Sequence, residues 1–297
     1  MRRSAGASCR PARACSRRSS DRRRAIHAKE HHPGRFRLIT WNIHKGIGGL
    51  DRRYDISRIV HALQQCHPDV VHLQEVDDDA ARSHHHRQVD VLAEALHLPH
   101  RAYQANVKLR SGRGAYGNAI VSRYPLHPTR DLDLTLRFKK RRGAQILTAA
   151  IPARKNLTLP VALVNLHLGL IEFEQKIQLR RLFACDEVKC IAPALPLIIA
   201  GDMNDVLGRL GRHLLLPAGF HAASDGKKTF PAFLPMRALD QIFFRGSIKL
   251  HHCFVSRSEM ARQASDHLPL VADFEFTGVR HIDAGHSRGV AGHRAHG

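Results

Sequence analysis

The sequence lacks the features that would mark a membrane-spanning, secreted or zinc-ribbon protein. No apolar run approaches about 18 residues, so we expect no helix that crosses a bilayer. The first residues lack the apolar segment of a secretory signal. Six cysteines occur among 297 residues without any Cys-x-x-Cys pair, which argues against a zinc framework and favours reduced thiols. We therefore expect a cytoplasmic protein, with peripheral association at a membrane surface as the alternative.

Acidic and aromatic residues are scarce, and both deficits bear on function. Asp and Glu number 26 against 47 Lys and Arg, a formal net charge of +21. Residues 35–276 alone hold 34 basic and 23 acidic groups, an excess of +11, which favours nucleic acid or an anionic membrane surface as partner. Solubility and an Arg-rich genomic composition explain the same excess. Aromatic residues make up only 6% of the chain, and no aromatic-rich insertion could wedge into a duplex.

Composition divides the chain into one domain and two tails. Residues 1–34 are rich in Arg and Ser with almost no large apolar residues, so we expect a disordered basic tail. An organellar transit peptide has a similar composition, and a start codon placed too early would give the same picture. Residues 277–297 are rich in Gly and His and are predicted to form a second disordered tail. Residues 35–276 are predicted to fold as one domain, in a monomer.

Short apolar runs and helical patterns together indicate an α/β protein. Apolar or alternating runs predict strands at 36–40, 69–76, 101–106, 119–122, 145–151, 159–166, 195–199 and 238–244, with a last strand ending at 276. Apolar residues at helical spacing predict helices at 51–67, 89–96 and 172–191. Strands outnumber helices, and the polar candidates described next fall at or near strand ends.

The stretch 200–205 organises the candidate site. It follows a buried apolar run, and Gly201 is predicted to end that run with a turn. Asp202 and Asn204 are two residues apart, so both side chains can face one cavity at the strand's carboxyl end. A carboxylate and a carboxamide there can hold water, a metal or a phosphate oxygen, although both are also ordinary turn residues.

Other strand ends carry further candidates. Glu75 ends a buried strand, where a carboxylate needs a cation or a partner. Asp240 lies between apolar neighbours and is expected to hold a cation or a histidine. Asn42 and His167 also follow apolar runs, although a lone histidine there is usually a core residue. The three histidines at 84–86 are adjacent in a loop and point different ways, so we do not predict a metal site there.

Two loops are rich in basic residues. Residues 109–118 combine glycines, Arg110, Arg113 and Tyr116, which together could wrap a phosphate. Residues 137–143 have the sequence RFKKRRG and are predicted to be the surface tip of a hairpin.

Seven short motifs occur in an order that resembles the endonuclease/exonuclease/phosphatase superfamily, over about residues 36–276. They are Trp41-Asn42, Leu73–Glu75, Gly117–Pro125, Asn165–Gly169, Gly201–Asp205, Leu239–Phe243 and Ser265–Pro269. In detail, residues 42–46 and 237–243 resemble small bacterial members found beside cardiolipin synthase genes. The resemblance implies a four-layer α/β/β/α sandwich, in which two mixed β-sheets pack face to face with helices outside. The predicted strands agree with this class.

The resemblance also implies a reaction, namely hydrolysis of a phosphodiester by in-line attack of water. Glu75 matches the principal metal ligand of the family, with Asn42 and Asp266 nearby. Mg²⁺ suits such hard oxygen ligands, and Mn²⁺ is the second choice. Tyr116 and Asn118 match a stretch that contacts the substrate phosphate.

The remaining motif residues match catalytic positions. The resemblance implies that Asp202 accepts the proton of the attacking water or orients it, and that Asn204 donates a hydrogen bond to the developing oxyanion. Asp240 would hold His267 in one tautomer and favour its charged form, leaving the other ring nitrogen for the scissile phosphate. His167 would contact a second phosphate oxygen or assist the leaving group.

Three functions compete on this basis. A nuclease is favoured by the basic charge. A phosphodiesterase on a phospholipid headgroup is favoured by the closer resemblance and by attraction to an anionic membrane, although the sequence offers no evident amphipathic anchor. A non-catalytic binding module would not require the full set of polar residues.

Overall fold

Two six-stranded β-sheets form the centre of the molecule. The computed structural model describes residues 34–110 and 112–278. Numbered in chain order, the strands of the first sheet lie side by side as β11 (Ile248–Val255), β12 (Leu270–Phe276), β1 (Arg35–Asn42), β2 (Val70–Asp78), β4 (Ala115–Ser122) and β3 (His100–Lys108). Those of the second sheet follow as β5 (Leu126–Asp133), β6 (Gly143–Arg154), β7 (Leu157–His167), β8 (Leu197–Asp202), β10 (Asp240–Arg245) and β9 (His221–Ala222).

Each sheet is mixed, because it contains one parallel pair among antiparallel pairs. The parallel pairs are β1–β2 in the first sheet and β7–β8 in the second. The helices are α1 (Ile56–Gln64), α2 (Gln88–Ala95), α3 (Glu172–Ala184), α4 (Asp186–Lys189) and α5 (Glu259–Ala264). Short 3₁₀ turns at His44–Gly46 and Ala81–Ser83 and a π-helical turn at Gly211–Leu215 complete the described elements.

Three apolar cores separate four layers. The central core lies between the sheets, where Phe274 of the first sheet packs against Phe36, 5.6 Å away, and against Phe244 of the second sheet, 5.2 Å away. A second core packs α1, α2 and α5 on the outer face of the first sheet. A third core packs α3 on the outer face of the second sheet. The predicted four-layer α/β/β/α sandwich is therefore confirmed.

Three expectations about individual elements differ from the structure. The helix predicted at 172–191 ends at Ala184, because Cys185 adopts an extended conformation with ψ of 140° before α4 begins. The strand β5 was not predicted, since it is an edge strand with mostly exposed side chains and has no apolar alternation. The strand β11 was also missed, and its pairing with β12 shifts between Leu250 and His252.

The tails predicted at 1–34 and 277–297 lie almost wholly outside the described residues, so that prediction stays a prediction. No helix in the described ranges is long and apolar enough to cross a membrane. The four cysteines within these ranges, Cys66, Cys185, Cys190 and Cys253, are free thiols.

A buried amide joins the two sheets next to the strand ends that carry the candidate site. Asn165 of β7 donates from Nδ2 to the carbonyl oxygens of Leu73 and Ala119 in the first sheet, at 3.0 and 2.9 Å. Its Oδ1 accepts a hydrogen bond of 2.7 Å from Gln74. Asn165 and Gln74 are fully buried. These bonds fix the separation of the sheets where their central strands end.

Replacing Asn165 by alanine should lower the free energy of unfolding by roughly 2–4 kcal/mol, because the change removes three buried hydrogen bonds, although Gln74 keeps its bond to Thr40. Urea denaturation measures this difference. Asn156→Ala is the matched control, since Asn156 is exposed in the turn between β6 and β7. Equal stability of the two variants would contradict the role given to Asn165.

Candidate active site

Three adjacent strands of the second sheet place polar side chains in one row. His167 at the end of β7 pairs in register with Asp202 at the end of β8, and Asp202 pairs across with Asp240 at the start of β10. Asn42 ends β1 in the first sheet and donates from Nδ2 to Asp202, 3.0 Å away. His267 lies just before β12, within 3.8 Å of the same carboxylate. The structure thus brings together five residues that the sequence predicted to be functional.

Gly201 is required by close packing rather than by a turn. The strand β8 continues through Gly201 to Asp202, so the expectation that Gly201 ends it is wrong. Gly201 has a φ of +153°, and a Cβ atom there would lie 1.9 Å from the carbonyl oxygen of Leu166 on β7. The missing side chain lets β7 and β8 run together to their last residues, and this contact aligns His167 with Asp202.

One oxygen of Asp202 is the meeting point of the site. Its Oδ2 lies 3.0 Å from Nδ2 of Asn42, 3.4 Å from Nε2 of His167 and 3.8 Å from Nε2 of His267. Its Oδ1 accepts the backbone N–H of Asn204 at 3.0 Å. Only 2% of Asp202 is exposed. Burial raises the pKa of Asp202 to about 6, with the charge of Asp240 acting in the same direction and that of His267 opposing it.

His267 is held by a buried carboxylate. Its Nδ1 lies 2.7 Å from Oδ2 of Asp240, and the same oxygen accepts a 2.6 Å hydrogen bond from the hydroxyl of Thr229. The ring of Phe230 packs on the imidazole with centroids 4.9 Å apart. The indole N–H of Trp41 donates to the backbone carbonyl of His267 at 2.8 Å. These contacts fix both the ring and its backbone.

The two histidines carry different charges at neutral pH. Burial opposes protonation of His267, but the negative charges of Asp240 and Asp202 outweigh it and raise the pKa of His267 to about 10. Burial and the positive charge of Arg142 hold the pKa of His167 well below its ordinary value. His267 is therefore an imidazolium and His167 a neutral imidazole, so the first can donate from both nitrogens and the second from one.

A second acid lies beside this group. Glu75 has a φ of +55°, and it falls where the pairing of β2 with β4 shifts between Leu73 and Val76. Its carboxylate accepts a short hydrogen bond from Nζ of Lys45. Burial opposes ionisation, but the positive charges of Lys45 and Lys140 and the hydrogen bond from Lys45 outweigh burial and lower the pKa of Glu75.

Three positively charged side chains near Glu75 were not recognised in the sequence. Lys45, Arg82 and Lys140 lie 5.4, 5.2 and 5.5 Å from the centre of the Tyr116 ring. Tyr116 thus lies among cations, and its contact with phosphate stays a prediction. The motif 42–46 could have indicated Lys45, whereas a surface loop gave no signal for Lys140.

Arg142 is a further basic residue whose position differs from the one predicted from the sequence. The stretch 137–143 was expected to be a surface tip, but Arg142 is only 6% exposed and its Nε has no hydrogen-bond partner. Burial lowers the pKa of Arg142, while the charges of Asp202 and Glu75 favour its ionised form. The surface prediction is therefore wrong for Arg142, whose side chain turns inward toward the two acids.

Asn204 follows Asp202 in a left-handed conformation, with a φ of +51°. Its Nδ2 donates to the carbonyl oxygen of Leu168 at 3.0 Å, and its own carbonyl accepts from Gln175 at 2.8 Å. One amide proton of Asn204 therefore holds the loop in place, and the second is available for a substrate oxygen.

Three other predicted residues stand apart from this group. Asn118 is 1% exposed and donates from Nδ2 to Gln104 and to the carbonyl of Gly143, at 3.2 and 3.0 Å, so its amide serves the strands around it. Arg113 is exposed and donates to Asp79 at 2.7 Å. The carboxylate of Asp266 lies 3.9 Å from Nδ1 of His44 and is one third exposed. Contacts of these three residues with phosphate or metal stay predictions.

The described residues include one buried group suited to a metal ion. Asp202, Asp240 and His267 offer ligand atoms that all lie within 4.8 Å of one another. His267 would have to lose a proton to become a ligand, and its Nδ1 is already bonded to Asp240. The buried carboxylate of Glu75, which now pairs with Lys45, offers oxygen ligands that are harder than an imidazole nitrogen.

Comparison with known proteins agrees with this geometry. The model of the Endonuclease/Exonuclease/phosphatase family matches residues 39–267. A relative, the uncharacterized protein YbhP of Escherichia coli K12, is 28% identical over 249 residues, which are 80% of this chain and 95% of YbhP.

Solved structures show the same fold. An endonuclease/exonuclease/phosphatase from Beutenbergia cavernae matches with a TM-score of 0.67 and 23% identity, over 83% of this chain and 72% of that one. A mannosyl-6-phosphatase of Bacteroides thetaiotaomicron matches with a TM-score of 0.60 and 17% identity, over 81% of this chain and 100% of its own. From the family match and the site, we conclude that this chain belongs to the endonuclease/exonuclease/phosphatase family, whose members are metal-dependent phosphoesterases.

Proposed function

We propose that the protein is a divalent-metal-dependent phosphodiesterase that uses in-line attack of water, with nucleic acid as the first candidate substrate. One observation carries the proposal, namely the convergence of Asn42, His167 and His267 on a single buried oxygen of Asp202. A carboxylate that is buried among nitrogen groups of different charge is suited to take a proton from water while a neighbour stabilises the phosphoryl oxygens.

The metal would be held by Glu75, Asn42 and Asp266, and Mg²⁺ or Mn²⁺ suits these oxygen ligands. The residues fit a cation, because the buried Glu75 carboxylate already binds a positive group, the ammonium of Lys45, which a metal would have to displace. Oδ1 of Asn42 accepts one backbone N–H, from His44, and keeps a free lone pair. When bound, the metal would polarise the phosphoryl oxygen and help to position water.

Different side chains of the protein accept the proton of water, donate to the phosphoryl group and stabilise its charge. Asp202, whose pKa is about 6, is mostly ionised at neutral pH and accepts the proton of the attacking water. Nε2 of the His267 imidazolium donates to a phosphoryl oxygen. His167, which is neutral, orients the water or assists the leaving group, and Asn204 donates its remaining amide proton to the oxyanion. The cations Lys45, Lys140 and Arg142 stabilise the negative charge that develops on the phosphoryl group.

A phospholipid headgroup is the second candidate substrate. Exposed apolar side chains around the cleft, among them Phe138 and Phe173, favour it. A binding module without catalysis is less well supported, because a buried acid with a raised pKa beside a charged histidine is costly to maintain and is useful chiefly for proton transfer.

The proposal is tested by assaying purified protein with Mg²⁺ against bis-p-nitrophenyl phosphate, plasmid DNA, abasic duplex and anionic phospholipid. We expect hydrolysis of at least one phosphodiester, its loss in EDTA, and its recovery with added Mg²⁺ or Mn²⁺. A DNA-directed activity would also fall steeply with salt. Hydrolysis that survives exhaustive chelation, or no hydrolysis of any of these substrates with either metal, would remove the proposal.

A further inference from the structure

Exposed apolar side chains concentrate around the catalytic cleft. Twelve large apolar side chains are exposed in the described residues, and ten of them lie in loops or helix starts that also carry site residues. Their exposed fractions range from 51% to 90%. Leu157 and Leu216 are the exceptions. We call the ten the apolar rim. Its second-sheet half consists of Phe138, Leu170, Ile171, Phe173, Val206 and Leu207, and its first-sheet half of Leu50, Phe233, Leu234 and Met236.

Ion pairs join the second-sheet half into one surface. Lys139, beside Phe138, pairs with Glu174 of α3 at 2.6 Å. Glu172 at the start of α3 pairs with Arg209 at 3.2 Å, in the loop that carries Val206 and Leu207. Three separate loops therefore lie side by side, and all three lead directly from catalytic or cationic residues.

The first-sheet half borders the site from the other side. Leu50 and Phe233 line one cavity of about 190 Å³ together with Asp266. The same loop contributes Phe230, whose ring packs on His267. Arg262 donates to the carbonyl oxygen of Phe233 at 3.0 Å, which fixes the exposed end of this loop. The apolar rim thus flanks the cleft on two sides.

Basic side chains alternate with the apolar rim. Phe138 is 90% exposed and lies between the basic residues of the stretch 137–142, and the guanidinium of Arg137 stacks 4.7 Å from its ring. Arg52 lies two residues after Leu50, and Arg209, which pairs with Glu172, lies two residues after Leu207. Nucleic acid would bind the cations and could stack bases on Phe138, Phe173 and Phe233, but it would leave the seven aliphatic side chains of the rim in water. An anionic bilayer satisfies both sets, since its phosphates bind the cations and its acyl boundary accepts the apolar groups.

We propose that the apolar rim docks on an anionic lipid surface, which would bring phosphodiesters presented by a membrane, the second candidate substrate class, to the cleft. The claim about substrate rests on the proposed function, whereas the claim about docking does not. The protein needs no membrane-spanning segment for this, because several partly inserted side chains combined with basic residues give reversible binding.

The test is cosedimentation of the full chain with vesicles of phosphatidylcholine, with and without roughly 30% phosphatidylglycerol. We expect binding only to the anionic vesicles. The double variant Phe138→Ser/Phe173→Ser should weaken this binding by about tenfold or more, since both side chains lose their contact with the acyl boundary. Leu157→Ser is the matched control, because Leu157 is an exposed leucine at the start of β7, at the opposite end of this strand from His167. It should bind like the wild type.

Several outcomes would overturn docking. The first is that the double variant and the control bind anionic vesicles with equal affinity. The second is that high salt completely removes the binding of both proteins, and the third is that the wild type does not bind anionic vesicles. Sedimentation velocity would show whether the wild type is a dimer. If it is, and if the double variant is a monomer, the apolar rim binds a second copy of the chain and not a membrane. Vesicle binding is measured without turnover, so an inactive but vesicle-binding protein would refute the proposed function and leave docking intact.

Discussion

Asp202→Asn should lower phosphodiester turnover by at least ~100-fold and leave the fold intact. Asparagine has nearly the same shape and keeps an oxygen for Asn42, but it cannot accept a proton from water. The measurement is kcat with bis-p-nitrophenyl phosphate in Mg²⁺, accompanied by circular dichroism. Asp225→Asn is the control, because Asp225 is exposed in a loop. Near-normal turnover in Asp202→Asn would show that another group accepts the proton.

The pH dependence of turnover is a second test of Asp202 as the proton acceptor. Since burial raises the pKa of Asp202 to about 6, the carboxylate is protonated and inactive as a base at lower pH. Wild-type turnover should therefore rise with pH through about 6, and the residual turnover of Asp202→Asn should lack this acid limb. An acid limb that persists in the variant would assign it to a different group.

His267→Gln should reduce turnover by a similar factor of at least ~100, because the substitution removes the positive charge that faces the phosphoryl oxygens. The variant also replaces the charged partner of the buried Asp240 carboxylate by a neutral amide, while the hydroxyl of Thr229 still donates to it. Steady-state kinetics measure the first effect. His127→Gln is the control, since His127 is exposed on the edge strand β5.

The pH dependence of the free energy of unfolding tests whether His267 is positively charged in the folded protein. Its pKa rises from 6.5 to about 10 on folding, so the Asp240–His267 pair stabilises the fold fully below pH 6.5 and loses this contribution as the pH rises through 10. The free energy of unfolding should therefore decline more steeply across this window in the wild type than in His267→Gln. Parallel declines would mean that His267 is neutral in the fold.

The order of motifs was enough to predict the sandwich and its central strands. Those strands are buried on both faces, so long apolar runs identify them. The edge strand β5 and the short helix α5 escaped prediction for the opposite reason, since neither buries enough apolar surface to leave a pattern. The break at Cys185 was also missed, because helical spacing continues across it.

The site was predicted more fully for acids and histidines than for cations. His167, Asp202 and Asp240 end or begin strands, so the sheet pairing brings them together once the strands are correctly placed. His267 lies in the loop just before β12. Arg142 and Lys45 come from a loop and a turn whose direction no periodicity determines. A basic run such as 137–143 has the composition of a solvated surface, and only the folded chain shows that one of its members is buried.

The bond between Trp41 and the carbonyl of His267 gives the protein a built-in optical reporter. Trp41 is the only tryptophan in the sequence, and its indole is fully buried. All intrinsic tryptophan fluorescence therefore arises directly beneath the segment that carries the imidazolium. A ligand or substitution that displaces this segment will alter the emission, and this signal comes from a single place in the molecule.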